Sequence, residues 1–299
     1  MHLIDNYSVI YYVSRIFGAA QFELKTINNV KIVRKSKFLT NYTKLLYLYY
    51  VLFVSSNSLF NSRELYILKN VLSKIFYILE LCVHTAYIFV APILYLKHTN
   101  LLCSIQNRLN QLFTNIVSDK NKKLKHLQYF NNFFLLLNVA TPFLGYFCNV
   151  IELAKNWTTT YSFVNMLIGF IRIPIGLMTN LASVQYIALA NIIRAIYSEI
   201  NKNLSSKTGK LEISFVKSID DCLKDIFDDI NSAFSVHIWF KVSGCFLTSV
   251  NGIVLLITER DNVLTLDFIV LVIYFVCYMI IIIKTVSLLA AEVRKSFFS

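Results

Sequence analysis

The chain has 299 residues, of which 56% are hydrophobic and only 15% charged. Soluble domains carry about 25% charge, so two water-soluble domains, the default for this length, do not fit the composition. The formal net charge of +12 does not point to nucleic acid, because the basic residues are confined to particular loops.

Arg15, Lys25, Lys31, Arg34, Lys35 and Lys37 come first. Among them, Tyr7 to Leu24 is apolar but interrupted by Arg15, with no basic leader and no convincing cleavage site. It reads as a helix lying under the inner leaflet or packed on a bundle, not as a signal peptide. Six apolar spans follow, at about 40–60, 71–96, 130–152, 160–190, 236–257 and 266–287. Each is long enough for a helix to cross a hydrocarbon core, which takes about 20 residues. In the first, Lys44 sits where it can snorkel to the interface, and Ser55, Ser56 and Asn57 dilute the far end. The predicted fold class is all-α: a polytopic transmembrane helix bundle, one membrane-embedded domain over residues 1–299.

Basic residues alternate along the loops. The N-terminal segment, the second loop, the fourth loop and the tail carry 21, and the other three loops carry 4. The positive-inside rule then places both termini in the cytoplasm. Asn156-Trp157-Thr158, in the third loop, is a glycosylation acceptor on the predicted outer side. The sequons at Asn6 and Asn203 fall on the cytoplasmic side, and Asn41 is too close to a span for easy modification.

Pro92, Pro142 and Pro174 all fall inside spans, where each marks a kink facing protein. Arg172 lies well inside the fourth span. An arginine at such depth costs about 2.5–3.5 kcal/mol on insertion scales and must face the bundle or a watery cavity. Glu80 and Glu152 are its candidate partners, in a structural ion pair or at the wall of a ligand cavity. Glu80, His84, Tyr146, Asn149, Tyr161 and Asn165 join Arg172 in the outer halves of spans two, three and four. If those helices pack side by side, these seven residues line one ligand-binding cavity. His84 by itself also fits a satisfied core histidine.

The fourth loop, Asn191 to Ser235, is helical in pattern. Phe215, Ile219, Leu223, Ile226 and Ile230 recur every three or four residues and form one apolar face. Asp220, Asp221, Asp225, Asp228 and Asp229 occupy much of the rest, without the Gly turn and final Glu of a calcium loop. The segment reads as an amphipathic cytoplasmic helix running into span five. Its apolar face packs on other helix ends, in the same subunit or as a subunit contact. The six cysteines form no zinc pattern and read as apolar filler, with Cys82 and Cys148 placed where they could pair. No metal site, cofactor motif or enzyme signature is visible.

Three local patterns resemble insect gustatory receptors. Ser14-Arg15-Ile16-Phe17-Gly18 is similar to that family's opening stretch. Asp228-Asp229-Ile230-Asn231-Ser232-Ala233-Phe234-Ser235 resembles its acidic helix entering span five, and Ala290-Ala291-Glu292-Val293 its glutamate-bearing segment after span six. The resemblance implies a ligand-gated cation channel in the plasma membrane of sensory neurons. It implies a homo- or hetero-tetramer with other receptor subunits, and a small-molecule tastant bound in the outer half of the bundle. It also implies a seventh, pore-lining span, which residues 1–299 do not carry, so that they are expected to conduct no ligand-evoked current alone. An insect odorant receptor would share fold and topology. A six-span transporter would show internal repeats, which are not visible here.

Overall fold

The structure, a computed structural model, describes residues 8–27, 30–67, 70–117, 125–140, 143, 160–205, 213–258 and 265–298. The elements, in chain order, are α1 (Ser8–Ile16), β1 (Phe22–Ile27), β2 (Val30–Lys35), α2 (Lys37–Ile67), α3 (Val71–Ile116), α4 (125–140), α5 (Thr160–Ser205), α6 (Ile213–Thr258) and α7 (Thr265–Phe298). The architecture is an all-α bundle with one small hairpin. Four helices carry stretches long and apolar enough to cross a membrane: Val71–Ile116, Gly176–Leu204, Ser214–Val254 and Val272–Lys295. They coincide with spans two, four, five and six. The first span falls on α2, and the described part of the third is α4.

Helices α3, α5 and α6 have 46 residues each. At 1.5 Å per residue that is about 69 Å, against a hydrocarbon core of about 30 Å. Each therefore runs well beyond the bilayer, towards the end of the bundle where α1 and the hairpin sit, here called the basic end. Two sequence readings change accordingly. The second loop does not begin at 97, because α3 continues to Ile116, capped at its start by the Asn70 side chain, which accepts from the Leu72 N–H at 2.8 Å. Residues 97–116 contain neither Gly nor Pro, and Leu102, Ile105, Leu109 and Phe113 keep one buried stripe going. Likewise α5 passes 190 without a break and ends at Ser205. The acidic segment runs into span five as one helix, α6 from Ile213, as its periodicity predicts.

Helix α5 is the centre of the bundle. Within its most apolar stretch 89% of residues are buried, against 17% in α3. Its small residues Ala182, Ser183, Ala188 and Ala190 are fully buried and let neighbouring backbones come close. The outward faces of α3 and α7 carry apolar residues such as Ile75, Ile78, Ile280 and Ile283, as lipid-facing surfaces do.

The N-terminal segment corrects a further reading. A single helix from Tyr7 to Leu24 is not what forms: α1 stops at Ile16, and Gly18 adopts a left-handed φ of 74°, which costs residues with a Cβ but not glycine. The turn lets the N–H groups of Ala19 and Ala20 both reach Ser14 O, at 2.7 and 3.1 Å. β1 and β2 then pair antiparallel, with Leu24 opposite Val33 and Phe22 opposite Lys35. The side-chain amide of Asn107 on α3 acts as a third strand's peptide. It accepts from Val33 N–H at 2.8 Å and donates to Val33 O at 3.0 Å.

Candidate ligand-recognition site

Two stripes of polar and aromatic side chains face each other where α3 and α6 run antiparallel. On α3 they are Glu80, His84, Tyr87 and Tyr95, and on α6 Asn251, Thr248, Phe240 and His237. Both sets follow the three- and four-residue spacing that keeps side chains on one helix face.

At the end away from α1 and the hairpin, which together form the N-terminal cap, the Glu80 carboxylate accepts from the Thr248 hydroxyl at 2.6 Å and from Asn251 Nδ2 at 2.7 Å. His84 Nε2 lies 3.4 Å from Thr248 Oγ1 and 3.8 Å from Glu80 Oε1. Gly244 makes room for the imidazole, since a Cβ there would meet His84 Cε1 at 3.1 Å. The oxygen of the Asn251 side chain is buried with no hydrogen-bond partner among the described residues. A buried acceptor left unsatisfied costs about 1–3 kcal/mol, and a ligand donor would remove that cost.

One turn further, Tyr87 donates to Thr179 O at 3.1 Å and sits 3.1 Å from His237 Nδ1, while Tyr95 donates to Met178 O at 3.2 Å. Tyr87 also stacks on Phe240, with centroids 5.2 Å apart. These contacts fasten α3 and α6 to α5. Beside them, the Lys241 ammonium donates to Asn180 Oδ1 and lies over the rings of Tyr278 and Phe275, 5.2 and 5.8 Å from their centroids. Asn180 Nδ2 donates to Asn138 O at 3.1 Å. The cation is thus held by one amide oxygen and two ring faces, a cation–π arrangement. An ionisable residue inside a membrane bundle is expensive and marks a functional site by default.

Of the seven cavity residues read from the sequence, Glu80 and His84 are brought together here. Tyr146 and Asn149 lie outside the described residues, as do Asn156 and Cys148. Tyr161, Asn165 and Arg172 belong to α5, outside its described side chains. Among the described residues, the partners of Glu80 and His84 on other helices come from α6, in span five. Sequence reasoning passed over Lys241, Gly244, Thr248 and Asn251. Their spacing of three, four and three residues was the available signal.

The amphipathic face of the acidic segment is mostly internal. Ile219, Leu223, Ile226 and Ile230 are buried in the core of this same chain, and Phe215 alone of the five is exposed. A cavity of about 40 Å³ lies under the N-terminal cap, bounded by Ile10, Tyr11, Phe22, Leu109, Gln185 and Phe234. A water needs roughly 10–15 Å³ of such space and a drug-sized ligand several hundred, so this cavity suits water, not a tastant.

A family model described as 7tm Chemosensory receptor matches residues 7–298. The chain belongs to that family. No curated protein matches it. Its role is therefore that of a chemoreceptor, a multi-pass membrane protein, consistent with the gustatory-receptor resemblance of the three short patterns.

In this chemosensory receptor each of those patterns ties helices together at the basic end. Ser14 is fully buried, and its hydroxyl accepts from Gln185 Nε2 on α5 at 2.9 Å. Gly18 O accepts from Gln21 Nε2 at 2.7 Å and from Thr43 Oγ1 at 3.3 Å. Asp229 pairs with Arg108 of α3, and Phe234 is buried edge-on to Tyr186. Glu292 accepts from Asn201 Nδ2 through both its backbone oxygen, at 3.0 Å, and its carboxylate, at 3.2 Å. Burial raises the pKa of the Tyr11 phenol, so α1 docks with that group neutral. Tyr197 of α5 donates to the Asp220 carboxylate of α6 at 2.8 Å.

Proposed function

We propose that this chemosensory receptor is a gustatory receptor that recognises a small, water-soluble tastant at the α3–α6 seam. The observation that carries the reading is the part-buried group of a carboxylate, an imidazole, a hydroxyl and an amide, with the buried Asn251 oxygen unpartnered among the described residues. Hydroxyl or amine donors of the tastant would take over Glu80 and Asn251. A site built on hydrogen bonds discriminates strongly against analogues lacking them, which favours polar tastants over volatile apolar odorants. Binding that changes the Glu80–Thr248 and Glu80–Asn251 contacts biases how α3 and α6 pack. A ligand shifts such an equilibrium only through its differential affinity for the two arrangements. The output is a cation current from a tetramer with other receptor subunits in the plasma membrane of sensory neurons.

The test uses the purified full chain in lipid vesicles and a panel of sugars, amines and volatile odorants. Polar, non-volatile compounds should raise its unfolding temperature, and Glu80→Gln and Asn251→Leu should abolish that shift. Stabilisation by apolar volatiles alone would favour the odorant-receptor reading. Undiminished stabilisation of both variants would remove the seam from recognition. Co-expression with other receptor subunits, read as ligand-evoked current, tests the channel.

A further inference from the structure

We infer that α1, the hairpin and the start of α2 form a docking surface for anionic phospholipid headgroups of the leaflet they face. Residues 8–44 hold seven basic side chains and a single acidic one, Glu23. Arg34, Lys35, Lys37 and Lys44 are all exposed.

The depth of this surface follows from α2. Leu45, Leu48 and Leu52 are exposed at spacings of three and four residues, the start of a lipid-facing stripe. Tyr42, one turn earlier, donates its hydroxyl to Ile16 O at 2.7 Å. The Tyr42 backbone lies about 4.5 Å below Leu45 along the helix axis and Phe38 about 10.5 Å below it, at 1.5 Å per residue, and the Tyr42 phenol holds the end of α1 beside this turn. That is headgroup depth.

The exposed apolar residues agree with that position. Phe38 is 77% exposed beside Lys37. On α1, the face opposite the buried Ile10 and Ser14 presents Val9, Tyr12 and Ile16. In water these side chains would be a liability, but apolar residues interleaved with basic ones are what binds an anionic lipid surface. The buried side of the same segment explains why the surface is held still. Ser14, Gln21 and Val33 are hydrogen-bonded to Gln185, Thr99 and Asn107 of α5 and α3. The basic groups are thus presented on a rigid mount. This inference does not depend on what the receptor senses.

The experiment reconstitutes the full chain in phosphatidylcholine vesicles and compares spin-labelled phosphatidylserine with spin-labelled phosphatidylcholine. Motionally restricted signal gives their relative association with the protein. Phosphatidylserine should be preferred several-fold, and raised salt should shrink the preference. Arg34→Gln/Lys35→Gln/Lys37→Gln should bring it down at least about threefold. Lys35→Arg/Lys37→Arg should keep it. Lys120→Gln/Lys122→Gln/Lys123→Gln, in another basic loop, should change it less than the N-terminal triple. Inorganic phosphate at the same charge concentration should not displace the lipid. Equal association of the two lipids with the native chain would overturn the proposal. So would a preference that survives the N-terminal triple in a protein that still unfolds cooperatively at its native temperature, or one that free phosphate abolishes.

Discussion

Along the α3–α6 pair, the half nearer the N-terminal cap is packed by Leu223, Ile226, Ile230 and Phe234, all essentially without solvent exposure. The other half presents Gly244, Thr248 and Asn251 to Glu80 and His84. The first half gains stability from apolar and dispersion contacts, which tolerate no other partner. The second is held by hydrogen bonds, which a ligand recognised at this seam as proposed would replace. A receptor needs both: a joint that stays closed, and a seam whose contacts are exchangeable. Change at the first should therefore cost stability, whereas change at the second should cost recognition with less loss of stability.

The largest effect is expected from Phe234→Ala. Deleting a fully buried ring typically costs about 3–5 kcal/mol, and Phe234 also meets Tyr186 edge-on at 6.1 Å. Thermal unfolding of the purified chain should show a large drop in midpoint. A drop no larger than that of a seam variant would erase the distinction between the halves.

Thr248→Val keeps the shape of the side chain and removes the donor to Glu80. A charged or polar partner left short of a hydrogen bond costs about 1–3 kcal/mol. Thr248→Ser should restore stability, because the hydroxyl remains. Ligand-induced stabilisation should fall in the valine variant and recover in the serine one. Equal behaviour of the two would mean that the Thr248 hydroxyl does not organise Glu80.

Gly18→Ala probes the joint from the side of the cap. A left-handed φ costs a residue with a Cβ about 1–2 kcal/mol. The new methyl would also meet Leu46 Cδ1 at 3.1 Å, a flexible tip that can give way. Unfolding should shift modestly, and proteolysis within the first forty residues should speed up. No change in either would show that the cap does not depend on this turn.

These contrasts also explain what the sequence could reveal. Spans two, four, five and six were legible because long apolar runs leave few alternatives, and Glu80 and His84 stood out because such groups are rare inside a bilayer. Thr248 and Asn251 did not stand out, since mild polar residues are common in apolar helices. Their importance appears only once Glu80, 168 and 171 positions away, is packed against them. The hairpin was hidden by its own charge: Lys25, Lys31, Arg34 and Lys35 read as loop residues. The pairing of Phe22–Ile27 with Val30–Lys35, and the Asn107 amide beside Val33, make those strands. The helix through 97–116 was hidden by its polar residues, some exposed, such as Asn100, Ser104 and Gln111, and others, such as Thr99 and Asn107, hydrogen-bonded to the N-terminal segment.

The smallest effect is expected from the Arg108–Asp229 pair, the charged link between α3 and α6 at the joint. Its side chains are 33% and 34% exposed. At that exposure water and salt screen the attraction, and such pairs couple by about 0.2–1 kcal/mol. A double-mutant cycle with Arg108→Gln and Asp229→Asn should return a coupling in that range, shrinking as salt is added. The sign of the comparison depends on this value being small. If the coupling exceeded about 2 kcal/mol and resisted salt, the joint would be held by a desolvated ion pair as much as by Phe234 and its neighbours. Both halves of α3–α6 would then depend on exchangeable polar contacts, and the joint would itself be a place where binding could be felt.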